Sequence, residues 1–258
     1  MAEVRNDAIC GAAYWSRTVS GAGRAKPVNM LDTDIVANLL GRLHQAAHEA
    51  DHAHFEQVMA EIEASGAGAE QWAAKLLEDE KAGLRSVYQG YAEHFLSISP
   101  GFGRFLYAMA RAGKASRIVE FGTSMGISTI YLAAALRDNG GGMLIGSEFE
   151  PGKVARAREH LEAAALADLV DIREGDARET LADIAGEVDL LLLDGAFSLY
   201  LPVLKLVEPR LRPGAIVLGE NAFDPEYRAY VRDPGNGYLT QTFAMDVERG
   251  NDFTVRIG

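Results

Sequence analysis

The chain has a single cysteine, Cys10, so no internal disulfide can form and the fold rests on its apolar core. Positive charge is scarce: 25 Lys and Arg face 37 Asp and Glu, a formal net charge of -12. Nucleic-acid affinity leans on clustered Lys and Arg, so this balance argues against a nucleic-acid partner and favours a small molecule. No N-terminal apolar run has the form of a secretory signal or a membrane span. A soluble cytoplasmic protein with no membrane partner is expected. There is no internal repeat. The glycine turn at 122–126 lacks both the G-x-G-x-x-G spacing of a dinucleotide fold and the lysine of a P-loop, which argues against NAD and ATP.

What is present is enough apolar material, 48% of 258 residues, for one substantial domain with an extension. Residues 1 to about 30 mix Gly, Ala, Arg and Ser without a period and are expected to form an arm or lid. From Leu31, the residues Ile35, Leu39, Leu40, Leu43 and Ala47 recur at helical spacing behind an N-cap at Asp32 or Thr33. A second helix follows the Ser65-Gly-Ala-Gly68 break, and a short one runs from Phe102 to Ala112. Strand-like runs then appear at Arg117–Phe121, Met143–Glu148, Leu169–Arg173, Val188–Leu193 and Ala215–Gly219. Helical segments near 127–137, 151–165, 177–185 and 199–211 separate them, the pattern of a parallel sheet covered on both faces. Tyr238–Met245 and Phe253–Ile257 flank a polar turn at 247–252, as an antiparallel edge hairpin does. The chain divides into 1–95, an arm and helical segment serving as cap or dimerisation element, and 96–258, an α/β domain.

In an open parallel sheet, ligands bind beyond the carboxyl ends of the strands. Glu120 closes the first strand, Glu148 the second, Asp176 follows the third and Asp194 the fourth. A carboxylate after the second strand suits ribose hydroxyls, which assigns that contact to Glu148. The glycine turn lets backbone approach a ligand, while the helix N-terminus behind it and the Ser128 hydroxyl suit a carboxylate group. Glu120 suits an ammonium. A ligand with ribose, carboxylate, ammonium and a positive centre is S-adenosylmethionine.

The ordered motifs Ser97-Ile-Ser-Pro-Gly-Phe-Gly-Arg-Phe-Leu106, Val119-Glu-Phe-Gly-Thr-Ser-Met-Gly-Ile-Ser128, Gly146-Ser-Glu-Phe-Glu-Pro151, Glu174-Gly-Asp-Ala177, Val188-Asp-Leu-Leu-Leu-Leu-Asp-Gly195 and Leu211-Arg-Pro-Gly-Ala215 run from about Leu96 to the C-terminus. Together they resemble the class I S-adenosylmethionine-dependent O-methyltransferases of the catechol and caffeoyl-CoA group. The resemblance implies a Rossmann-like methyltransferase fold, with a mostly parallel seven-stranded sheet, an antiparallel C-terminal hairpin and an N-terminal helical extension. It implies that Glu120, Gly122, Thr123, Ser124, Gly126 and Ser128 surround the methionine part of the cofactor. Glu148 then meets the ribose and Asp176 with Ala177 the adenine, with Phe149 and Gly175 among the cofactor-binding residues. Ile98 and Asp194 are implied as further cofactor contacts, and a homodimer is expected.

The same resemblance places ligands for Mg²⁺ or another divalent cation at Asp194, Glu220 and Asn221, which makes these three the catalytic candidates. Their oxygens are donors that Mg²⁺ accepts, and the ion would lower the pKa of a phenolic acceptor. Two departures stand out. Related enzymes carry Asp-x-x-Lys after the fourth strand, whereas Asp194-Gly-Ala-Phe197 has an aromatic in the place of the base, and Glu220 replaces an aspartate. The base role then passes to the metal, to an acidic acceptor, or to a residue such as His94, Tyr200 or Asp246.

His48-Glu-Ala-Asp-His52 matches H-E-x-x-H, with His44 one helical turn earlier, but no third-histidine extension follows the pair. A solvated helix face is expected there, with a zinc peptidase as the contrary reading. The function expected is O-methylation of a small molecule, a phenol or catechol, with a metal-independent methyltransferase and a non-catalytic S-adenosylmethionine-binding protein as the alternatives.

Overall fold

The computed structural model describes residues 29–66, 68–245 and 250–258. Most of the N-terminal arm with Cys10, the base candidate Asp246 and part of the 247–252 turn lie outside the described residues. Helix α1, Asp34–Ser65, starts where the Thr33 hydroxyl accepts the Val36 amide and ends at Gly66 in the left-handed conformation. Its first half presents Val36, Leu39, Leu40, Leu43 and Ala47 to the core. Ile35, counted on the apolar stripe from sequence, points outward and is 56% exposed, because Val36 takes the inward position. Helix α2 is Gly68–Tyr88, interrupted at Gly83 by extended backbone. Among the described residues no helix is long and apolar enough to cross a membrane.

Helix α3, Pro100–Ala112, begins at its Ser99 cap, two residues before the expected Phe102, since proline is well placed in a first turn. The strands and helices beyond it alternate: β1 Arg117–Phe121, α4 Ile127–Asp138, β2 Met143–Glu148, α5 Pro151–Ala163, β3 Val170–Glu174, α6 Ala177–Thr180, β4 Val188–Leu193, α7 Tyr200–Val207, β5 Leu211–Gly219, α8 Pro225–Arg232, β6 Tyr238–Phe243 and β7 Asn251–Arg256. The sheet order is β3-β2-β1-β4-β5-β7-β6, parallel through β5 and antiparallel at β7 and β6. Ile118, Leu144, Ile172, Leu190 and Leu218 meet α1, α3, α4 and α5 on one face. Val119, Ile145, Leu191 and Val217 meet α6, α7 and α8 on the other.

Several boundaries differ from expectation for local reasons. The segment expected as a helix over 177–185 is helical only to Thr180. The Arg173 guanidinium takes the carbonyls of Thr180 and Asp183, and Leu181 and Ile184 bury without further helix. Helix α7 ends at Val207 because Pro209 lacks the amide to continue it. Strand β5 begins four residues before Ala215. Its pairing with β4 shifts register across Pro213 and Gly214, a bulge that proline tolerates.

Candidate active site

The order of the sheet reverses between β1 and β4, where ligands of open parallel sheets bind. The carboxyl ends of β1, β4 and β5 lie level: the Asp194 amide donates to the Phe121 carbonyl and the Glu220 amide to Leu193, each at 2.9 Å. Asp194 and Glu220 therefore stand side by side, one residue beyond adjoining strands.

The turn after β1 carries positive φ at Gly122 (94°), Ser124 (47°) and Gly126 (85°). At Gly122 a Cβ would lie 2.2 Å from the Asp194 carbonyl oxygen, so the close approach of this turn to the end of β4 requires glycine. The Ser124 amide donates to Glu148 Oε2 at 2.7 Å, and its hydroxyl donates to the Phe95 carbonyl, drawing the segment before α3 over the turn. Glu148 Oε1 accepts the Glu150 amide at 2.9 Å. This carboxylate is thus aimed by two amides, and each oxygen keeps a lone pair for a ligand hydroxyl.

Glu120 is wholly buried. Its Oε2 accepts hydroxyls from Thr129 at 2.6 Å and Thr123 at 3.0 Å, while Oε1 has no hydrogen-bond partner among the described residues. Burial pushes its pKa up, against the pull of those hydroxyls. Its register partner is Gly146, where a Cβ would stand 2.4 Å from Thr123 Oγ1, so the missing side chain makes room for the Glu120–Thr123 bond.

A cavity of about 2240 Å³ lies over these strand ends, between the sheet and helices α1 and α2. Ile98, Gly122, Ser124, Glu148, Phe149, Gly175, Asp176, Ala177, Asp194, Glu220 and Asn221 all line it. Thr123 and Ser128 line a narrow recess of about 10 Å³ beside it. Glu120 and Gly126 line neither space: Glu120 sits behind Thr123, and Gly126 packs against Ala157. Asp176 caps α6 and pairs with Arg178, which holds its carboxyl below the usual range. Glu220 is 4% exposed, and its carbonyl accepts the buried Tyr200 hydroxyl at 2.6 Å. Asn221 adopts a φ of 46° and donates its amide to Asn251.

Of the base candidates from sequence, neither Tyr200 nor His94 lines the cavity. Tyr200 is committed to the Glu220 carbonyl, and His94 lies beside Asp51 of α1 at 3.1 Å, outside the cavity lining. Phe197 stacks on Phe223 with ring centroids 4.2 Å apart and forms an apolar wall. The histidine face of α1 forms no metal centre: among the described residues no three His, Cys, Asp or Glu side chains are placed to hold an ion. His44 instead bonds the Tyr131 hydroxyl at 3.1 Å, and burial lowers its pKa to about 4.

Three residues in or behind this wall escape sequence patterning. Lys153, 5% exposed, lines the cavity near Glu148 and Asp51, and burial lowers its pKa. Glu80 of α2 accepts amides of the loop after β4 and the hydroxyl of Tyr88, which lines the cavity in front of it. The one trace of this pair in the sequence is Gly83, a helix-weakening residue between them.

Residues 119–222 match the family model described as a methyltransferase domain. The chain is 34% identical over 130 residues to a catechol O-methyltransferase of Niastella koreensis, an alignment covering 49% of this chain and 58% of that one. It is 32% identical over 127 residues to a catechol O-methyltransferase of Mycobacterium tuberculosis, covering 49% and 57%. The chain thus spans under two thirds of the length of these curated relatives. The fold resembles that of TomG, an O-methyltransferase of Streptomyces achromogenes in complex with S-adenosylmethionine, with a TM-score of 0.59 at 22% identity over 71% of this chain and 90% of that one. It equally resembles an O-methyltransferase of Bacillus cereus in complex with S-adenosylhomocysteine, with a TM-score of 0.59 at 21% identity over 70% and 90%. Residues 119–222 thus match a methyltransferase domain, and the fold is the one seen in these O-methyltransferase structures.

Proposed function

We propose that the protein transfers the methyl group of S-adenosylmethionine to a hydroxyl oxygen of a small phenol or catechol. The observation that carries this reading is the pair Asp194 and Glu220, set side by side beyond β4 and β5 at the rim of the crevice between β1 and β4. On this reading Gly122, Thr123, Ser124 and Ser128 surround the methionine part of the cofactor, with Glu120 behind them holding the Thr123 hydroxyl. Glu148, oriented by two amides, takes the ribose hydroxyls, and Phe149, Gly175, Asp176 and Ala177 form the adenine end.

The transfer is an in-line displacement, so the protein acts by holding the acceptor oxygen against the methyl carbon. Two carboxylates and an amide fit the donor set of a hard divalent cation, and Asp194, Glu220 and Asn221 would hold it. Such an ion would supply acidification of an acceptor hydroxyl. Phe197 and Phe223 give the acceptor an apolar wall suited to an aromatic ring. The reading includes a homodimer, supported by Phe55 and Met59 exposed on α1 at 39% and 51% and checked by light scattering, and a cytoplasmic location.

Asp194→Ala tests the assignment: turnover is lost while S-adenosylhomocysteine still binds in calorimetry. Phe197, where the resemblance places a lysine, favours one other reading, a metal-independent methyltransferase. Full activity in excess chelator decides for that reading and against the metal.

A further inference from the structure

Tyr88 and Glu80 lie eight residues apart on α2, a separation of about 12 Å on a straight helix. Yet the Tyr88 hydroxyl donates to Glu80 Oε1 at 2.6 Å. The extended backbone at Gly83, with φ -179° and ψ 92°, breaks the helix and folds its last turn back. Glu80 is 1% exposed and accepts two further donors, the amides of Phe197 at 3.2 Å and Ser198 at 2.7 Å. One buried carboxylate thus joins the N-terminal helices to the loop that follows Asp194.

Tyr88, Asp194, Phe197 and Glu220 line the same cavity. The Phe197 ring can take no proton. Tyr88 has committed its own proton to Glu80, so its oxygen offers the cavity lone pairs only, and an acceptor hydroxyl beside it must donate. The titratable groups facing the pair are Tyr91, Asp194 and Tyr200. Burial and the Glu80 charge hold the Tyr88 hydroxyl far above its ordinary pKa, so it stays neutral and can pass a proton without holding a charge.

We propose that Tyr88 and Glu80 are the proton path of the methyl transfer, with Tyr88 touching the acceptor oxygen and Glu80 acting through Tyr88. This rests on the reading under Proposed function. The acceptor oxygen bonds to the methyl carbon as the carbon–sulfur bond breaks, its electron pair passing to sulfur. The acceptor proton moves to the Tyr88 oxygen, and the Tyr88 proton moves to Glu80 Oε1. Sulfonium and carboxylate charges cancel, leaving a thioether, an ether and a carboxylic acid that later releases its proton to solvent.

Two acceptors test this with the full chain: catechol, protonated at neutral pH, and 4-nitrocatechol, largely ionised there. With catechol, kcat of Tyr88→Phe is expected to fall on the order of 100-fold, since positioned proton transfer contributes that much, with S-adenosylhomocysteine affinity unchanged. With 4-nitrocatechol, whose more acidic hydroxyl has already lost its proton, the loss is expected to shrink to under about threefold. Raising the pH narrows the gap for catechol, and Glu80→Gln shows the same dependence on acceptor acidity. Wild-type rates in Tyr88→Phe on catechol, equal losses on both acceptors, or loss of cofactor binding overturn the proton path. If the wild-type protein releases no S-adenosylhomocysteine with either acceptor, the methyltransferase reading falls and the path with it. If the wild type is active and Tyr88→Phe matches it, the path alone falls.

Discussion

The Glu148 carboxylate accepts the Ser124 amide at 2.7 Å, one bond that fixes the turn after β1 against the end of β2. On the proposed function the same carboxylate would also take the ribose hydroxyls. Glu148→Ala is expected to weaken S-adenosylhomocysteine binding by roughly 10- to 100-fold in calorimetry, the range for hydrogen bonds to a charged group. Unchanged affinity contradicts the assignment.

Gly122 and Gly140 both hold positive φ, 94° and 103°, but a Cβ at Gly122 meets the Asp194 carbonyl at 2.2 Å while one at Gly140 meets nothing within 4 Å. Gly140→Ala carries conformational strain alone, about 1–2 kcal/mol. Gly122→Ala adds a backbone clash and is expected to cost more than about 3 kcal/mol, lowering Tm by roughly 6–12 °C, with cofactor binding lost. Thermal unfolding of the two variants side by side checks the difference.

Asp189, at the start of β4, accepts the amides of Ser116 and Arg117 and the Arg212 guanidinium. Burial pushes its pKa up, but these donors outweigh burial and the folded value lies below the ordinary carboxylate one. The stability it contributes is therefore present above the unfolded carboxylate pKa and is lost as pH falls through the lower folded value. Asp189→Asn is expected to cost about 2 kcal/mol at neutral pH and to flatten the acid limb of a denaturation series.

His44 adds a slope of the same sign at milder pH. Its folded pKa, about 4, lies below the ordinary 6.5, so the unfolded chain binds more protons between these values and stability falls as pH drops across them. His44→Gln is expected to remove that slope. His48→Ala and His52→Ala are expected to leave turnover and stability unchanged, and elemental analysis to find no stoichiometric zinc. Bound zinc released by either substitution contradicts the solvated-face reading.

The α/β order and the cofactor turn were legible because they depend on local signals: apolar runs of strand length, glycines where φ must be positive, and carboxylates at strand ends. The Ala177–Thr180 helix was overextended because the carbonyl partner that replaces the helix, Arg173, comes from a neighbouring strand. The true start of β5 was hidden because Pro213 reads as a strand breaker until the bulge is seen. Glu80 and Tyr88 were illegible for the same kind of reason: their meeting depends on how Gly83 bends α2, and Glu80 finds its amides 117 and 118 residues away. Lys153 gave no signal in the sequence, because its burial depends on α1 packing across α5.

The central claim is that methyl groups pass from S-adenosylmethionine to a hydroxyl in the crevice beyond β1 and β4. Incubating the purified protein with methyl-labelled cofactor, Mg²⁺ and a panel of catechols and simple phenols tests it most directly. The account predicts labelled monomethyl ether and an equal amount of S-adenosylhomocysteine, both abolished in Asp194→Ala. Protein that binds S-adenosylhomocysteine yet transfers no label to any hydroxyl contradicts it.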